Sequence, residues 1–445
     1  MRASSRRFFA PLAVITLGAA AWRIWYVLGP VTDRIQRLAG DEFFYNWQAR
    51  YFADGRWFTN PFLLHNQHVT EPTALHPPLY TVFLAVPSWL GFSTPTQHRI
   101  ATALLGTATV ALVGLLGRRL AGDRAGLVAA VVAAAYPPLW SNDSVIGLET
   151  LYCFLVVLAL LAVYRFWYAP SLWGAAGVAV CLALASLTRS EGIILFVLLG
   201  VPTALLARGW NRTQKLRALG VMAAIGLVLI GPWVVRNLTT FERRTVLGTG
   251  FGLVLAYGNC DATYSGPKLG YWDNNCLREY TPGIEESVFD KDALDQGTAY
   301  IREHAERVPV VVLARIGRIW EVFRPTQNVE LNEFFEQRGN TTSWAVLIGY
   351  YVLVPFAIGG LVVMRRRRVP IYPMLAIVAA ITITVAIGFP VTRYRASFDA
   401  VTPALVAVAL DALWRRWRRG GASPTSSARP ADVTAPPPTP VEVAG

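Results

Sequence analysis

Ten stretches of the chain are apolar runs broken by little more than Gly, Pro or an isolated polar residue. They lie at about 9–28, 99–117, 126–140, 150–167, 173–188, 192–207, 216–235, 344–364, 370–389 and 398–413. Lipid offers no partner to an unpaired amide or carbonyl, and ~20 apolar residues are needed to cross the hydrocarbon, so each run reads as a membrane helix. The pattern predicts an all-α polytopic membrane protein with roughly ten transmembrane helices. Two long stretches depart from it, Pro30 to Leu75 and Leu238 to Ser343, and both mix polar and apolar residues.

Composition agrees with the pattern. Of 445 residues, 54% are hydrophobic and 16% charged, with a mean hydropathy of +0.39, too apolar for an ordinary soluble chain. A net charge of +13 raises the question of nucleic acid, and its placement answers it. With the N-terminus in the cytoplasm, the inside segments receive Arg2, Arg6 and Arg7; Arg118, Arg119 and Arg124; Arg208, Arg212 and Arg217 with Lys215; Arg365 to Arg368; and Arg415, Arg416, Arg418 and Arg419. This is the positive-inside pattern of an inner-membrane protein with both termini cytoplasmic, and no nucleic-acid partner is expected. The stretch Leu238 to Ser343 instead holds eleven Lys or Arg against fifteen Asp or Glu, the balance of a translocated loop.

The predicted organisation is therefore a membrane module at 1–235 whose first exported loop spans 30–75, a large exported loop at 236–343, and C-terminal membrane helices at 344–419. A tail at 420–445, rich in Ala, Pro, Ser and Thr, is expected to be disordered. The first run continues through Trp22, Ile24, Trp25 and Tyr26 without a small-residue cleavage site, which predicts a retained anchor. In the first loop, Phe43, Phe44, Tyr45, Trp47, Tyr51, Phe52, Trp57 and Phe58 suit short interfacial helices. In the second, Val308 to Phe323 is apolar with Arg315, Arg318 and Glu321 along one face, and reads as an interfacial helix. Cys153 and Cys181 fall inside apolar runs. Cys260 and Cys276 share the exported loop, where oxidising conditions allow a disulfide.

Chemistry-bearing residues gather on the exported side. Asp41 and Glu42 follow the first helix. A pair of acids there, taken alone, reads first as a helix N-cap with an acid in the first turn; it also suits a base for a hydroxyl proton, with partial burial raising the carboxyl pKa toward working pH. On the same side under the charge-derived topology lie Glu71, His76-Pro77-Pro78-Leu79-Tyr80, Asp143, Glu149, Arg189, Arg236, Arg393 and Arg395. Arginines for a phosphate and carboxylates for an acceptor, converging on one membrane face, would form a site for a phosphorylated lipid.

At these residues the sequence resembles the GT-C glycosyltransferases, in the branch of protein O-mannosyltransferases and the aminoarabinose transferase of lipid A. The resemblance rests on the acidic pair after the first helix, Pro-Pro-Leu-Tyr at 77–80, Leu-Thr-Arg-Ser-Glu-Gly at 187–192, Pro-Trp-Val-Val-Arg-Asn at 232–237 and Arg-Tyr-Arg at 393–395. It implies inverting transfer from a polyprenyl-phosphate sugar to a glycan, lipid or protein acceptor. Asp41 is then the catalytic base, supported by Glu42, and Glu149 is a second acid. Arg189, Arg236, Arg393, Arg395 and His76 would hold the donor phosphate, with Glu71, Asp143 and Tyr80 near the acceptor. Where the aminoarabinose branch carries Glu-Lys, this chain has Leu75 and His76. His76 is left with two roles, replacement of that lysine or ligation of a divalent metal, although no set of three or four ligands accompanies it. No cofactor is otherwise implied.

Three other readings share these features: a transporter or flippase of a lipid-linked sugar, a surface-polysaccharide polymerase or ligase, and a noncatalytic partner in an envelope-building complex. A transporter predicts ionisable groups at mid-membrane and repeated halves, and the sequence shows few of the former and no repeat.

Overall fold

The apolar runs fold as helices for the reason that makes them legible: each satisfies its own backbone in lipid. A computed structural model describes residues 2–35, 37–277, 283–336 and 338–420. In chain order the main helices are α1 (Arg2–Tyr26), α2 (Gly40–Ala53), α3 (Leu79–Trp89), α4 (Pro95–Ala121), α5 (Asp123–Ala135), α6 (Glu149–Tyr168), α7 (Leu172–Thr188), α8 (Gly192–Leu205, with a π-helical centre), α9 (Arg212–Thr240), α10 (Phe251–Gly258), α11 (Glu286–Glu303), α12 (Val308–Ile319), α13 (Pro325–Glu336), α14 (Asn340–Arg366), α15 (Tyr372–Ile387) and α16 (Ala396–Gly420). No strand occurs among the described residues; Thr59 and Pro72 form one isolated bridge.

Every predicted apolar run lies on a helix, and six of the helices are long and apolar enough to cross a membrane. The others, α5, α7, α8 and α15, are shorter, and α8 has a π-helical centre. The run at 126–140 ends early: α5 stops at Ala135 because Tyr136 precedes Pro137 and takes an extended conformation (ψ 114°), and a short helix, Pro137–Asn142, follows. The first loop is also longer than the sequence pattern suggests, since α3, an apolar helix of 11 residues, is too short to cross and adds to the loop before α4. The expected tail at 421–445 lies outside the described residues.

α16 forms the centre of the bundle. Its apolar window is 83% buried, against 17% for α9, which buries Ala218, Met222, Trp233 and Asn237. Small residues permit this: at Gly360 of α14 a Cβ would stand 2.1 Å from the carbonyl oxygen of Leu405. Gly106 of α4 plays a similar part for a polar group. The Asp143 carboxyl occupies the space a Cβ would need, and there it accepts from Arg23 Nε (2.8 Å) and Thr150 Oγ1 (2.9 Å). A buried charge in lipid requires such partners.

In the large loop, α12 is the short amphipathic helix expected at 308–323, but its arginines turn inward. Arg315 and Arg318 are both buried and donate to carbonyls and amides: Arg315 to Gly258 O, Asn259 Oδ1 and Ala386 O, Arg318 to Leu269 O, Pro267 O and Asn328 Oδ1. The outward side carries Val310 and Leu313, the latter 69% exposed. Carbonyls that no helix or strand satisfies outcompete water for the guanidinium groups. Cys260 and Cys276 are joined in a disulfide, while Cys153 and Cys181 are free and buried.

Candidate active site

α2 begins at Gly40, which adopts φ +52°, so Asp41 and Glu42 both fall in its first turn, and neither caps it. Their side chains diverge by the 100° between successive helical residues. Glu42 points into the bundle. It accepts from Arg99 through both oxygens (2.8 and 3.2 Å) and from the Ile146 amide (2.8 Å), which fixes α2 to α4 and to the turn before α6. Asn46, one turn on, bonds the buried His98 (3.0 Å) from the same side. Held at its back, α2 presents Asp41 and Tyr45 at its front.

Asp41 meets side chains from three distant segments. Its Oδ2 accepts from Arg393 Nη1 at 2.5 Å, and its Oδ1 lies 3.5 Å from His76 Nε2. Arg393 belongs to the short 3-10 turn Thr392–Arg395 that opens α16. Its Nε lies 3.8 Å from Glu149 Oε1, and its backbone N–H donates to Glu336 Oε1 at 3.0 Å. Glu149 opens α6 and accepts from Arg189 Nη1 at 2.8 Å, and Arg189 also bonds Glu191. Asp41, Arg393, Glu149, Arg189 and Glu191 thus form one line of alternating charge at one end of the bundle, with His76 beside Asp41. Glu336 is held by Arg338 (2.6 Å), which reaches on to Asn142.

The field of this line sets its protonation. Burial alone would push the Asp41 carboxyl up, but the Arg393 guanidinium and the hydrogen bond and charge of His76 prevail and hold it well below the ordinary carboxylate range. The expectation of a raised pKa is therefore reversed in this state, because an opposite charge in contact outweighs partial desolvation. Burial likewise works against the charge on Arg189, yet Glu191 and Glu149 raise its pKa further, so it stays cationic.

Tyr45 stands inside the same space. It is fully buried, its ring packs on those of His76 (5.1 Å) and Tyr80 (4.9 Å), and its hydroxyl has no partner among the described residues. Beside Arg189 and Glu191 lies a narrow cleft between α8 and α15, lined by Leu195, Ile377, Ala380 and Ile381 together with Tyr152, Thr384, Tyr394 and Ser397.

The other sequence-derived candidates lie around this line rather than on it. Arg395 is fully buried; it donates to Ile319 O (2.9 Å), pairs with Asp399 (3.3 Å) and Glu321 (3.5 Å), and covers the Tyr350 ring at 3.8 Å. Arg236 donates to Thr73 O (3.0 Å) and Phe58 O (3.5 Å), and so holds the chain that leads to His76. Asp143 is occupied by Arg23, and Tyr80 shares its hydroxyl with Thr102 (2.8 Å). Glu71 sits beside the Thr59–Pro72 bridge, its carbonyl accepting from the Asn60 amide. Among the described residues no three His, Cys, Asp or Glu side chains converge to hold a metal, and beside Asp41 and His76 stands the guanidinium of Arg393, which cannot ligate one.

Residues to which the sequence assigned no site role are Glu191, Tyr394, Glu336, Arg338 and Tyr45. Glu191 and Tyr394 lie within the Leu-Thr-Arg-Ser-Glu-Gly and Arg-Tyr-Arg elements, and Tyr45 stands four residues after Asp41 and so on the same helical face; Glu336 and Arg338 carried no local signal. Glu286 of α11 is another. It accepts from the Ala74 amide (2.8 Å), Thr249 Oγ1 (2.5 Å) and Asn60 Nδ2 (3.3 Å), clamping the large loop onto the segment before His76.

Residues 75–235 match the dolichyl-phosphate-mannose-protein mannosyltransferase family, a segment that includes His76, Glu149 and Arg189 but neither Asp41 nor Arg393. No curated protein sequence matches the chain. Among solved structures, the apo oligosaccharyltransferase of Archaeoglobus fulgidus aligns over 93% of this chain and 52% of its own, with 14% identity and a TM-score of 0.52. The same archaeal enzyme in complex with an inhibitory peptide and a dolichol-phosphate aligns over 92% of this chain and 52% of its own, with 15% identity and a TM-score of 0.51. ArnT from Cupriavidus metallidurans, bound to undecaprenyl phosphate, aligns over 91% and 78% with 16% identity and a TM-score of 0.42. The chain thus spans about half the length of the archaeal oligosaccharyltransferase. Over nearly all of its length the chain is thus similar in fold to the archaeal oligosaccharyltransferase, and its segment 75–235 is similar to the dolichyl-phosphate-mannose-protein mannosyltransferase family.

Proposed function

We propose that the chain is an inverting glycosyltransferase that moves a sugar from a polyprenyl-phosphate carrier to an acceptor hydroxyl on the exported side of the membrane. The observation that carries this reading is the line Asp41–Arg393–Glu149–Arg189, assembled from four separate segments at one end of the bundle beside the cleft between α8 and α15. An oligosaccharyltransferase of the same fold has been captured with a dolichol-phosphate, and the family matched at 75–235 is named for a dolichyl-phosphate sugar.

The parts suit the chemistry. Arg393 and Arg189 take the donor phosphate, and the prenyl tail leaves along the cleft lined by Leu195, Ile377 and Ile381. A carboxylate paired with a guanidinium is a weak base. When the phosphate draws Arg393 onto itself, Asp41 loses the charge that depresses its pKa and becomes able to take the acceptor proton. The acceptor oxygen attacks the anomeric carbon from the face opposite the phosphate. The bond from that carbon to the phosphate oxygen breaks, and its electron pair leaves on the polyprenyl phosphate. Positive charge already in place there stabilises the leaving anion without a general acid. Glu149 positions both arginines.

The test uses the full-length chain in lipid with polyprenyl-phosphate sugars and a panel of acceptors. Asp41→Asn is expected to lower sugar transfer by about 100-fold or more while leaving donor binding in place. Transfer that survives this substitution unchanged rejects Asp41 as base. Movement of labelled donor between leaflets with no sugar transferred would show a transporter instead.

A further inference from the structure

The end of the bundle opposite Asp41 carries a second constructed concavity. α14 ends in Arg365 and Arg366, followed by Arg367 and Arg368, and α16 ends through Arg415, Arg416 and Arg418. These were read above only as a topology signal. In the structure they do more than lie along a surface. Arg367 and Arg415 share a single buried carboxylate, Asp411, at 3.6 and 2.7 Å, and Arg415 also donates to Ala121 O at 3.2 Å. Arg416 and Ala412 complete a hollow of about 470 Å³. Three guanidinium groups line the hollow and two of them share one carboxylate, which leaves an excess of positive charge.

Beside it on α16 lies a hollow of about 440 Å³ with a mostly apolar lining, Val128, Leu410, Leu413, Trp414 and Trp417, edged by Arg124 and by the same Asp411. Arg124 stacks over Trp414 at 3.9 Å and fixes its ring, while Trp417 is 70% exposed. Tryptophans of this kind mark the depth of lipid headgroups. A soluble anion would use the arginines and leave the apolar slot without purpose. A purely apolar partner would leave the arginines facing it unpaired. One occupant satisfies both, with phosphate on the cationic side and acyl chain along the tryptophans.

We infer that the Arg367–Arg415–Arg416 hollow and the adjoining Trp414–Trp417 slot form a site for an anionic diacyl phospholipid, at the end of the bundle remote from the Asp41 line. The site is independent of the glycosyltransferase reading and would stand if that reading fell.

Native mass spectrometry of the full-length chain, extracted in mild detergent and titrated with phosphatidylglycerol or with phosphatidylcholine of the same acyl chains, tests it. The unaltered chain is expected to retain phosphatidylglycerol preferentially. Arg367→Gln with Arg416→Gln should lower that retention by about 10-fold with little change for phosphatidylcholine. Arg212→Gln with Arg217→Gln removes equal charge from exposed positions elsewhere at the same end, and should lower it far less. Trp417→Glu keeps every arginine and should also weaken retention by opposing the acyl chain. Equal retention of the two lipids by the unaltered chain overturns the site. So does an equal loss in the Arg212/Arg217 control, which would reduce the effect to general surface charge, or unchanged retention in Trp417→Glu.

Discussion

Tyr45 and Glu42 are neighbours on one helix, yet the physical logic of their surroundings is opposite. Glu42 is fully committed, with Arg99 and the Ile146 amide filling its oxygens, so it serves packing. Arg99→Met would leave that carboxylate buried without its partner, and a loss of about 3–5 kcal/mol is expected, read as reduced yield and a lower unfolding temperature. The Tyr45 hydroxyl is the reverse case, buried beside the Asp41 line with no partner among the described residues. Orphan buried hydroxyls are rare, because desolvation costs free energy that nothing returns. In the proposed reaction its partner would be substrate. Tyr45→Phe keeps the ring contacts to His76 and Tyr80, so thermal stability should hold or rise slightly. Transfer activity should fall by about 10-fold, the loss of one hydrogen bond of roughly 1.4 kcal/mol. A fall in stability that matches the fall in activity would assign the hydroxyl to packing.

Between elements, the large loop is held by buried polar contacts as much as by apolar ones. Asp290 on α11 accepts the amides of Gly252 (2.8 Å) and Leu253 (3.2 Å) at the start of α10. At Gly252 any Cβ would collide with the Asp290 carbonyl oxygen, which stands 1.8 Å from where it would be. Burial pushes the Asp290 carboxyl up to about 7, against the opposing effect of those two amides. A carboxyl raised in the folded state binds a proton that the unfolded chain has already lost. Its contribution is therefore present at low pH and is lost as pH rises from near 4, the unfolded value, through about 7. The unfolding temperature should fall across that window by roughly 5 °C, and Asp290→Asn should flatten the profile. Thermal unfolding at stepped pH checks this. The sign differs from that of Asp41, whose depressed pKa gives stability at all pH above about 4 and loses it only on further acidification. The inward turn of Arg315 and Arg318 belongs to this scale too. Sequence periodicity places both on one face of α12 but cannot say whether that face meets water or carbonyls.

For the whole molecule, the alternation of helices brings the starts of α2, α6 and α16 and the end of α7 to one end, and the arginine-rich termini of α14 and α16 to the other. If loop charge sets orientation as proposed, Thr341→Cys, exposed at the Asp41 end, reacts with an impermeant thiol reagent in intact cells, and Arg366→Cys reacts only after permeabilisation. The opposite labelling pattern would place the proposed chemistry in the cytoplasm. What the sequence determined by itself was whatever depends on neighbours in the chain: the apolar runs, because lipid imposes its demand helix by helix, and the division of charge between loops. It also placed Asp41, Glu149, Arg189 and Arg393 among the candidates for a single site. Only the tertiary structure decided which of those side chains meet. Arg393 and Asp41 are 352 residues apart, and no periodicity separates Arg393, on the line, from Arg395, two residues later and wholly enclosed by Asp399, Glu321 and Tyr350. Buried polar groups choose partners by distance in space, and that distance is set by the packing of small residues such as Gly106 and Gly360 against neighbouring helices, which leaves no periodic mark along the chain.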